Sequence, residues 1–432
     1  MALIASCLWC EYNAYASGIT LGRFGGVYGH TNTDGGLALY WNPARLSLLD
    51  GVALTIDGTL VSRDASYDRT IRPAPENPYA DQPGVQETNV GLATSSTLAI
   101  LPYMAASGGW ELNRIRIGVG LGVHPAYGGT ASWDQNPNAP AEFPGGLDGT
   151  QRWSGIASKF LIIHYTAAAA VTFSEIGVSL GVGVSYVSGE IETVRARNVN
   201  RGEALLDERG VMQEGRIFFL GDDNTIALNL GLSYDNEHIT ASVHFRQGYN
   251  LNIFGDLNQA YGTQPPIRVQ AFLDFPTPHV LQSALTFRRG GAEMTVMADY
   301  STWSRMIANR IFVEKDPPDL LLLIPRNLVN TVSFRAMFGW NFSPSFNLTG
   351  MIGVDPSAVP EDTIDAALSD AFKIQLGIGL RAPLHPNILL RTSYTQDFFQ
   401  TVVSTQSIHE PTADGTYRDS RRWFNVSLEG RL

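Results

Sequence analysis

Cysteine, lysine and long apolar runs are nearly missing from this 432-residue chain, and each shortage closes off a class of protein. The only two cysteines, Cys7 and Cys10, fall in the first ten residues, so the remainder has neither thiol chemistry nor a disulfide. Lysine occurs only at 159, 315 and 373, and charged residues make up 16% of the chain, against about a quarter in soluble domains. A net charge of −11 and a pI near 5.2 argue against nucleic acid as a partner, because phosphate contacts need a basic face. The apolar runs near Ala167 and Leu320 stop well short of the roughly 18 residues that a spanning helix requires. The eight histidines, at 30, 124, 164, 238, 244, 279, 385 and 409, show no metal-ligand spacing and no catalytic pairing. We assign no catalysis, no metal and no cofactor.

What is present is alternation. From Asp50 onward about ten residues of strict period-two patterning recur, each followed by a turn or a long polar loop. In one such segment Ile176, Val178, Leu180, Val182, Val184 and Tyr186 share a face, opposite Gly177, Ser179, Gly181, Gly183 and Ser185. Ile115, Ile117, Val119, Leu121 and Val123 stand likewise against Arg114, Arg116, Gly118, Gly120 and Gly122, and Phe372 to Leu380 against Lys373 to Arg381. A midplane arginine pointing at lipid costs about 2–4 kcal/mol, so the apolar face looks outward and the basic face inward. Fourteen segments carry the pattern, near 52–63, 89–105, 112–124, 155–173, 176–196, 224–235, 238–254, 279–289, 293–311, 328–342, 345–354, 370–382, 387–403 and 419–432. Tight links such as Ser174-Glu175 and Asp235-Asn236-Glu237 alternate with long ones at 64–88, 125–154, 197–223 and 255–278. The fold expected is all-β: a fourteen-stranded antiparallel transmembrane β-barrel over residues 50–432. A soluble sandwich would need a Lys-, Glu- and Thr-rich outer face, which is not there.

Residues 1–16 read as the remnant of a signal peptide, with an apolar run and an Ala14-Tyr15-Ala16 cleavage site before Ser17; Ile4-Ala5-Ser6-Cys7 offers a lipoprotein alternative. Residues 17–49 do not alternate, so they are not expected in the wall, and either hang in the periplasm or plug the lumen. Asn42 caps and Pro43 opens a short helix there, and Asp50-Gly51 turns the chain into the first strand.

The stretch GITLGRFGGVYGHTNTDGGLALYWNPARLSLLDG resembles the N-terminal hatch of the long-chain fatty acid transporter (FadL) family, with Asn42-Pro43-Ala44 after a glycine-rich segment and Asp34 at the acidic position. GVGLGVHPAYGGTASW, ADYSTWSRM and GVDPSAVPEDTIDAALSD are similar to later parts of that family, in order, over nearly the whole chain. The resemblance implies a monomeric outer-membrane channel of a Gram-negative bacterium, in contact with lipid and lipopolysaccharide. It would take up hydrophobic small molecules passively, with long-chain fatty acids as the leading substrate. An aromatic hydrocarbon channel and a non-transporting surface barrel are the alternatives, and a nonselective porin is disfavoured by the hatch. Two departures stand out: Leu432 ends the chain where an aromatic is usual, and Pro102 interrupts the second strand.

Candidate ligand-pocket residues are Ile19, Phe24 and Tyr40, with Trp41 more suited to anchoring the hatch. Arg114, Arg116, Arg335 and Arg381 appear on the inward face as candidate carboxylate contacts, or as fillers paired with lumen acids such as Asp57 and Asp235. Pro125 has no N–H to give to a ladder and Gly128-Gly129 follows it, so the third strand should kink or leave its neighbour here; the resemblance implies a lateral opening at His124, Pro125, Tyr127, Gly128 and Gly129, the alternative being that the strand ends at the rim.

Overall fold

The computed structural model describes residues 23–199, 202–261, 265–315, 317–343 and 346–432. The signal segment and Ile19 lie outside the described residues. The chain closes an antiparallel barrel of fourteen strands, as the alternation predicts. They are β1 (Gly51–Arg69), β2 (Gly91–Leu112), β3 (Ile115–Ser132), β4 (Ala157–Phe173), β5 (Val178–Asn198) and β6 (Glu214–Asp235), then β7 (Ile239–Arg246 and Asn250–Tyr261) and β8 (Ile267–Pro276 and Val280–Arg289). There follow β9 (Ala292–Ser301 and Ala308–Val313), β10 (Asp319–Pro325 and Thr331–Asn341), β11 (Asn347–Asp355), β12 (Lys373–His385), β13 (Ile388–Phe399 and Val402–Ser404) and β14 (Gly415–Arg431). Closure is by β14 on β1, in register from Ala53↔Arg431 to Arg69↔Gly415. No described helix is long and apolar enough to cross a membrane; strands make the wall.

Several expectations about extent need correction: β1 runs on to Arg69, β3 to Ser132 and β6 starts at Glu214, each inside a segment expected as a loop. Residues 255–278, expected as a loop, lie largely in paired strand: Gly255 to Gln259 pair with Ala271 to Ile267, and β7 also pairs with β6 here. Strand β10 likewise begins at Asp319, ahead of the segment expected from 328. Short breaks hid these upper halves. Residues 247–249, 277–279, 302–307 and 326–330 interrupt four consecutive strands at one level, and the strands resume pairing above it. The broken backbone is satisfied locally: Tyr249 N–H donates to Thr277 Oγ1 at 2.9 Å, Gly248 N–H to His279 Nδ1 at 3.0 Å, and Arg305 Nη1–H to the Thr277 carbonyl at 2.6 Å.

The faces fall where the charge argument puts them. Leu180, Val182, Val184 and Tyr186 are about half exposed on the outer face, while Ser179 and Ser185 are fully buried inside. Trp110, Trp340 and Phe342 are exposed near the short turns, with Tyr165 and Tyr186 exposed toward the other end, as aromatic borders of an apolar belt. Above the paired residues Tyr186 and Ile226 the outer face turns polar, with Asp222 and Asn224 exposed. At the same level the inner face turns apolar, from Ser179 and Ser185 to Val187 and Ile191 in β5 and from Ser233 and Asn229 to Phe219 and Ile217 in β6. The interior is therefore two compartments with opposite chemistry.

Candidate functional site

The lower compartment is filled by the hatch, residues 23–49. Its backbone lies directly on wall glycines: a Cβ at Gly118 would strike Leu46 and Ser47, one at Gly181 would strike Pro43 and Ala44, and one at Gly231 would strike the Asn42 side chain. Close approach of two backbones, not phosphate binding, is what these inward glycines serve. Asn42 is fully buried with extended backbone; its Oδ1 accepts the Ala44 N–H at 3.1 Å and its Nδ2 donates to the Leu232 carbonyl at 3.2 Å. Pro43 opens a 3-10 helix, Pro43–Leu48, at the position where no N–H is needed. Asp34 reaches Arg45 at 2.5 Å, and Arg45 reaches Asp235 of β6 at 2.8 Å. Further bonds tie the plug around the ring: Gly25 N–H to Asp57 Oδ2 at 2.8 Å, Asn32 Nδ2–H to Thr286 Oγ1 at 2.8 Å, and Tyr28 Oη–H to the Asn347 carbonyl at 3.2 Å.

Phe24 and Tyr40 are buried at the top of the plug, edge to face at 5.0 Å. Tyr40 also meets the His124 ring edge-on at 4.9 Å, and Arg246 lies 4.4 Å over its face. The structure thus brings the two aromatic pocket candidates against the candidate opening. Trp41 anchors within the hatch, its indole N–H donating to the Phe24 carbonyl at 2.8 Å, with Arg335 stacked at 5.4 Å.

The wall changes at His124. Strands β2 and β3 pair from Leu112↔Ile115 to Met104↔Val123 and then separate. Continuing that register would set Pro102 opposite Pro125, two residues without an N–H facing one another across the ladder. β3 keeps its other neighbour, pairing with β4 to Ser132↔Ala157 with a register shift between Pro125 and Tyr127. The two segments meet again at Ser95 Oγ–H to the Ser132 carbonyl, 2.7 Å, and at Asp134 N–H to the Thr94 carbonyl, 2.9 Å. A window without ladder hydrogen bonds therefore lies between 96–103 and 124–132. His124, Tyr127 and Tyr103 are buried behind it, and Leu98 and Ile100 are exposed beside it.

The arginines part company. Arg114 is 81% exposed in the β2–β3 turn beside Glu175, not on the inward face where alternation put it, because the turn ends the period. Arg116 donates to the Ser47 carbonyl at 3.0 Å and holds the hatch to the wall. Arg335 is paired with Asp299 at 3.0 Å. Arg381 faces a polar vestibule of ≈650 Å³ below the hatch and bonds Asn341 Oδ1 at 3.1 Å.

The upper compartment holds an apolar chamber of ≈160 Å³, walled by Phe160, Ile217, Phe219, Phe275 and Leu322 and reaching Gly128 at the window. Its polar rim includes Lys159, paired with Glu190 at 2.8 Å, and Arg326, paired with Asp365 at 2.9 Å. Burial would lift the Asp365 carboxyl, but Arg326 and His409 outweigh it and hold it below the ordinary carboxylate range. The remaining cation is Arg195. Sequence reasoning missed it, although the parity of Ser179 to Ser185, carried up β5, already turns it inward.

No family model and no curated protein matches this sequence. Solved structures do. A Pseudomonas aeruginosa FadL homologue superposes with a TM-score of 0.75 at 15% identity, over 98% of this chain and 100% of the other. The fold is that of the FadL homologue. The toluene transporters TodX of Pseudomonas putida and TbuX of Ralstonia pickettii give TM-scores of 0.69 and 0.65 at 14% and 13% identity, each over 98% of this chain and 99% of the other.

Proposed function

We propose that this protein is a monomeric channel in the outer membrane of a Gram-negative bacterium, embedded in lipid and lipopolysaccharide, for passive uptake of small hydrophobic molecules. The observation that carries the reading is the apolar chamber in the upper compartment, which reaches Gly128 beside a stretch of wall that lacks ladder bonds. A hydrophobic molecule leaving the chamber downward would meet Arg288, Glu293, Arg381 and Glu429 in the vestibule, where desolvating those charges opposes its passage. The window offers a way out past Leu98 and Ile100 that stays apolar.

Size bears on the substrate. A cavity of about 150 Å³ holds one benzene ring, so the chamber suits a compact body better than a whole long acyl chain. The toluene transporters with this fold agree with that choice. A long fatty acid would have to extend into a second cavity of ≈250 Å³ nearer the mouth, lined by Leu321 to Leu323 and Ile408. The test is uptake of radiolabelled toluene and oleate by cells expressing the intact protein or carrying empty vector, with surface expression confirmed. Faster toluene uptake supports the channel; equal uptake of both probes with and without the protein leaves the non-transporting barrel.

A further inference from the structure

The vestibule beneath the hatch is unevenly charged. It opens among the short turns, at the end that faces the periplasm in an outer-membrane barrel. On the β6 side Arg45 serves two carboxylates, Asp34 at 2.5 Å and Asp235 at 2.8 Å. On the β12–β14 side the ratio is reversed, and one carboxylate, Glu429, serves both Arg391 at 3.3 Å and Arg431 at 2.7 Å. Arg381 stands on the same wall, and among the described residues no carboxylate lies within ion-pair distance of it. Glu293, also in the vestibule, is held by Arg288 at 3.4 Å.

The register sharpens the imbalance. Arg381 and Arg391 are direct partners across the β12–β13 ladder, both lining the vestibule, and like charges set opposite one another in a sheet repel. Arg391 is buried; Arg381 Nε is buried without a hydrogen-bond partner, while its Nη2–H donates to Asn341 Oδ1 at 3.1 Å. Neither guanidinium can shed its proton to relieve the repulsion. An anion between them does relieve it, and the space in front of them is an open polar cavity of ≈650 Å³.

We propose that the vestibule binds a phosphate group, held by Arg381 and Arg391 with Arg431 at the rim. These three arginines and Glu429 leave two positive charges unneutralised, which matches a doubly charged anion. A tetrahedral phosphate offers oxygens to guanidiniums on neighbouring strands, whereas a carboxylate brings half the charge and two oxygens in one plane. The cavity has room for the body that carries the phosphate, so a free phosphate ester and the headgroup of a periplasmic-leaflet lipid present the same chemistry. The site lies on the other side of the hatch from the apolar chamber and does not rest on the uptake reading.

Titration calorimetry tests this on the purified full chain in a non-ionic detergent, at mildly alkaline pH where phosphate is doubly charged, with inorganic phosphate, acetate and dihexanoyl phosphatidate as probes. Phosphate should bind about tenfold or more tightly than acetate. Arg381→Gln should weaken phosphate about ten- to a hundredfold, and Arg381→Lys should keep part of the affinity. Arg114→Gln, which removes an exposed cation from a turn, should leave it within about twofold. Phosphatidate binding more tightly than phosphate, and dependent on Arg381, makes a lipid headgroup the occupant; equal or weaker binding makes it a free ester, and either result supports the site. Absence of phosphate binding, acetate binding as tightly as phosphate, or equal losses in Arg381→Gln and Arg114→Gln overturns it. Should Arg381→Gln fail the heat-mobility test of barrel folding, Leu389→Glu serves. Leu389 lines the vestibule two residues before Arg391 on β13, so a carboxylate there meets the arginines from within the chain. Phosphate binding must then vanish, and retained binding overturns the proposal.

Discussion

Below the level of Tyr186 the barrel is apolar outside and polar inside, and above it the two faces exchange characters, in β5 and β6 without loss of parity. Ser185 and Ile191 lie on the same inner face of β5; one belongs to a wall packed against a plug, the other to an apolar core. Side-chain direction is thus set once by the pleat, and the solvent on each side decides the chemistry at each height. The outer face follows lipid and then water. The inner face follows the hatch and then an apolar chamber.

The comparison can be broken most severely by emptying the lower compartment. Deleting residues 18–40 removes the mass that fills it, and a fourteen-stranded lumen is too wide for wall side chains alone to fill. Planar bilayers should then show large stepwise conductance where the intact protein shows little; unchanged conductance would mean that the hatch is not the seal. Gly181→Val tests the same seal at one atom. Its methyls collide with the Pro43–Ala44 backbone, so a loss of about 1–3 kcal/mol and a leak are expected, read from urea midpoints and conductance. Gly128→Trp is the counterpart in the upper compartment. A Cβ there meets Phe160 O at 3.4 Å and Leu161 Cδ1 at 3.5 Å, ordinary contacts, so toluene uptake should fall while the barrel stays sealed.

A milder cut is Asn42→Ala, which removes the cap on Ala44 and the bond to Leu232 and should loosen the hatch by about 1 kcal/mol. Uptake should drop with assembly unharmed, measured by labelled toluene and by heat-modifiable mobility. The smallest effect concerns the loop 356–372 that holds Asp365. Its carboxyl is depressed in the folded chain, so it contributes stability above the unfolded value of about 3.9 that is lost as pH falls through the lower folded value. Proteolysis of this loop should accelerate below pH 4, and Asp365→Asn should remove that acid dependence.

The lower compartment was legible in sequence because lipid imposes a hard rule: apolar residues must recur at every second position wherever the wall meets it. Strands, faces and the Asn42 cap followed from that rule and from local capping chemistry, and the hatch from the family resemblance. The upper compartment obeys no such rule. Its strands 250–261, 267–276 and 319–325 face water outside and carry breaks below them, so they read as loop. Arg195 was passed over although it lies in the expected strand 176–196 with inward parity, while Arg114 was credited with an inward direction that its turn does not give. The window was half visible. Pro125 and Pro102 each drew notice, but only the register shows that they would stand face to face.

The closure of β14 on β1 has a consequence for how the molecule comes into being. The residues that join there, such as Ala53 and Arg431, are among the most distant in sequence of any that pair, and contacts of that span are slow to form because the intervening chain must first be ordered. The hatch precedes β1 in the chain, yet it is gripped by Asp57, Asn347 and Asp235, which lie far apart around the ring. It must therefore already lie within the curling sheet when the two edges meet, and it serves as the form around which the ring is drawn shut.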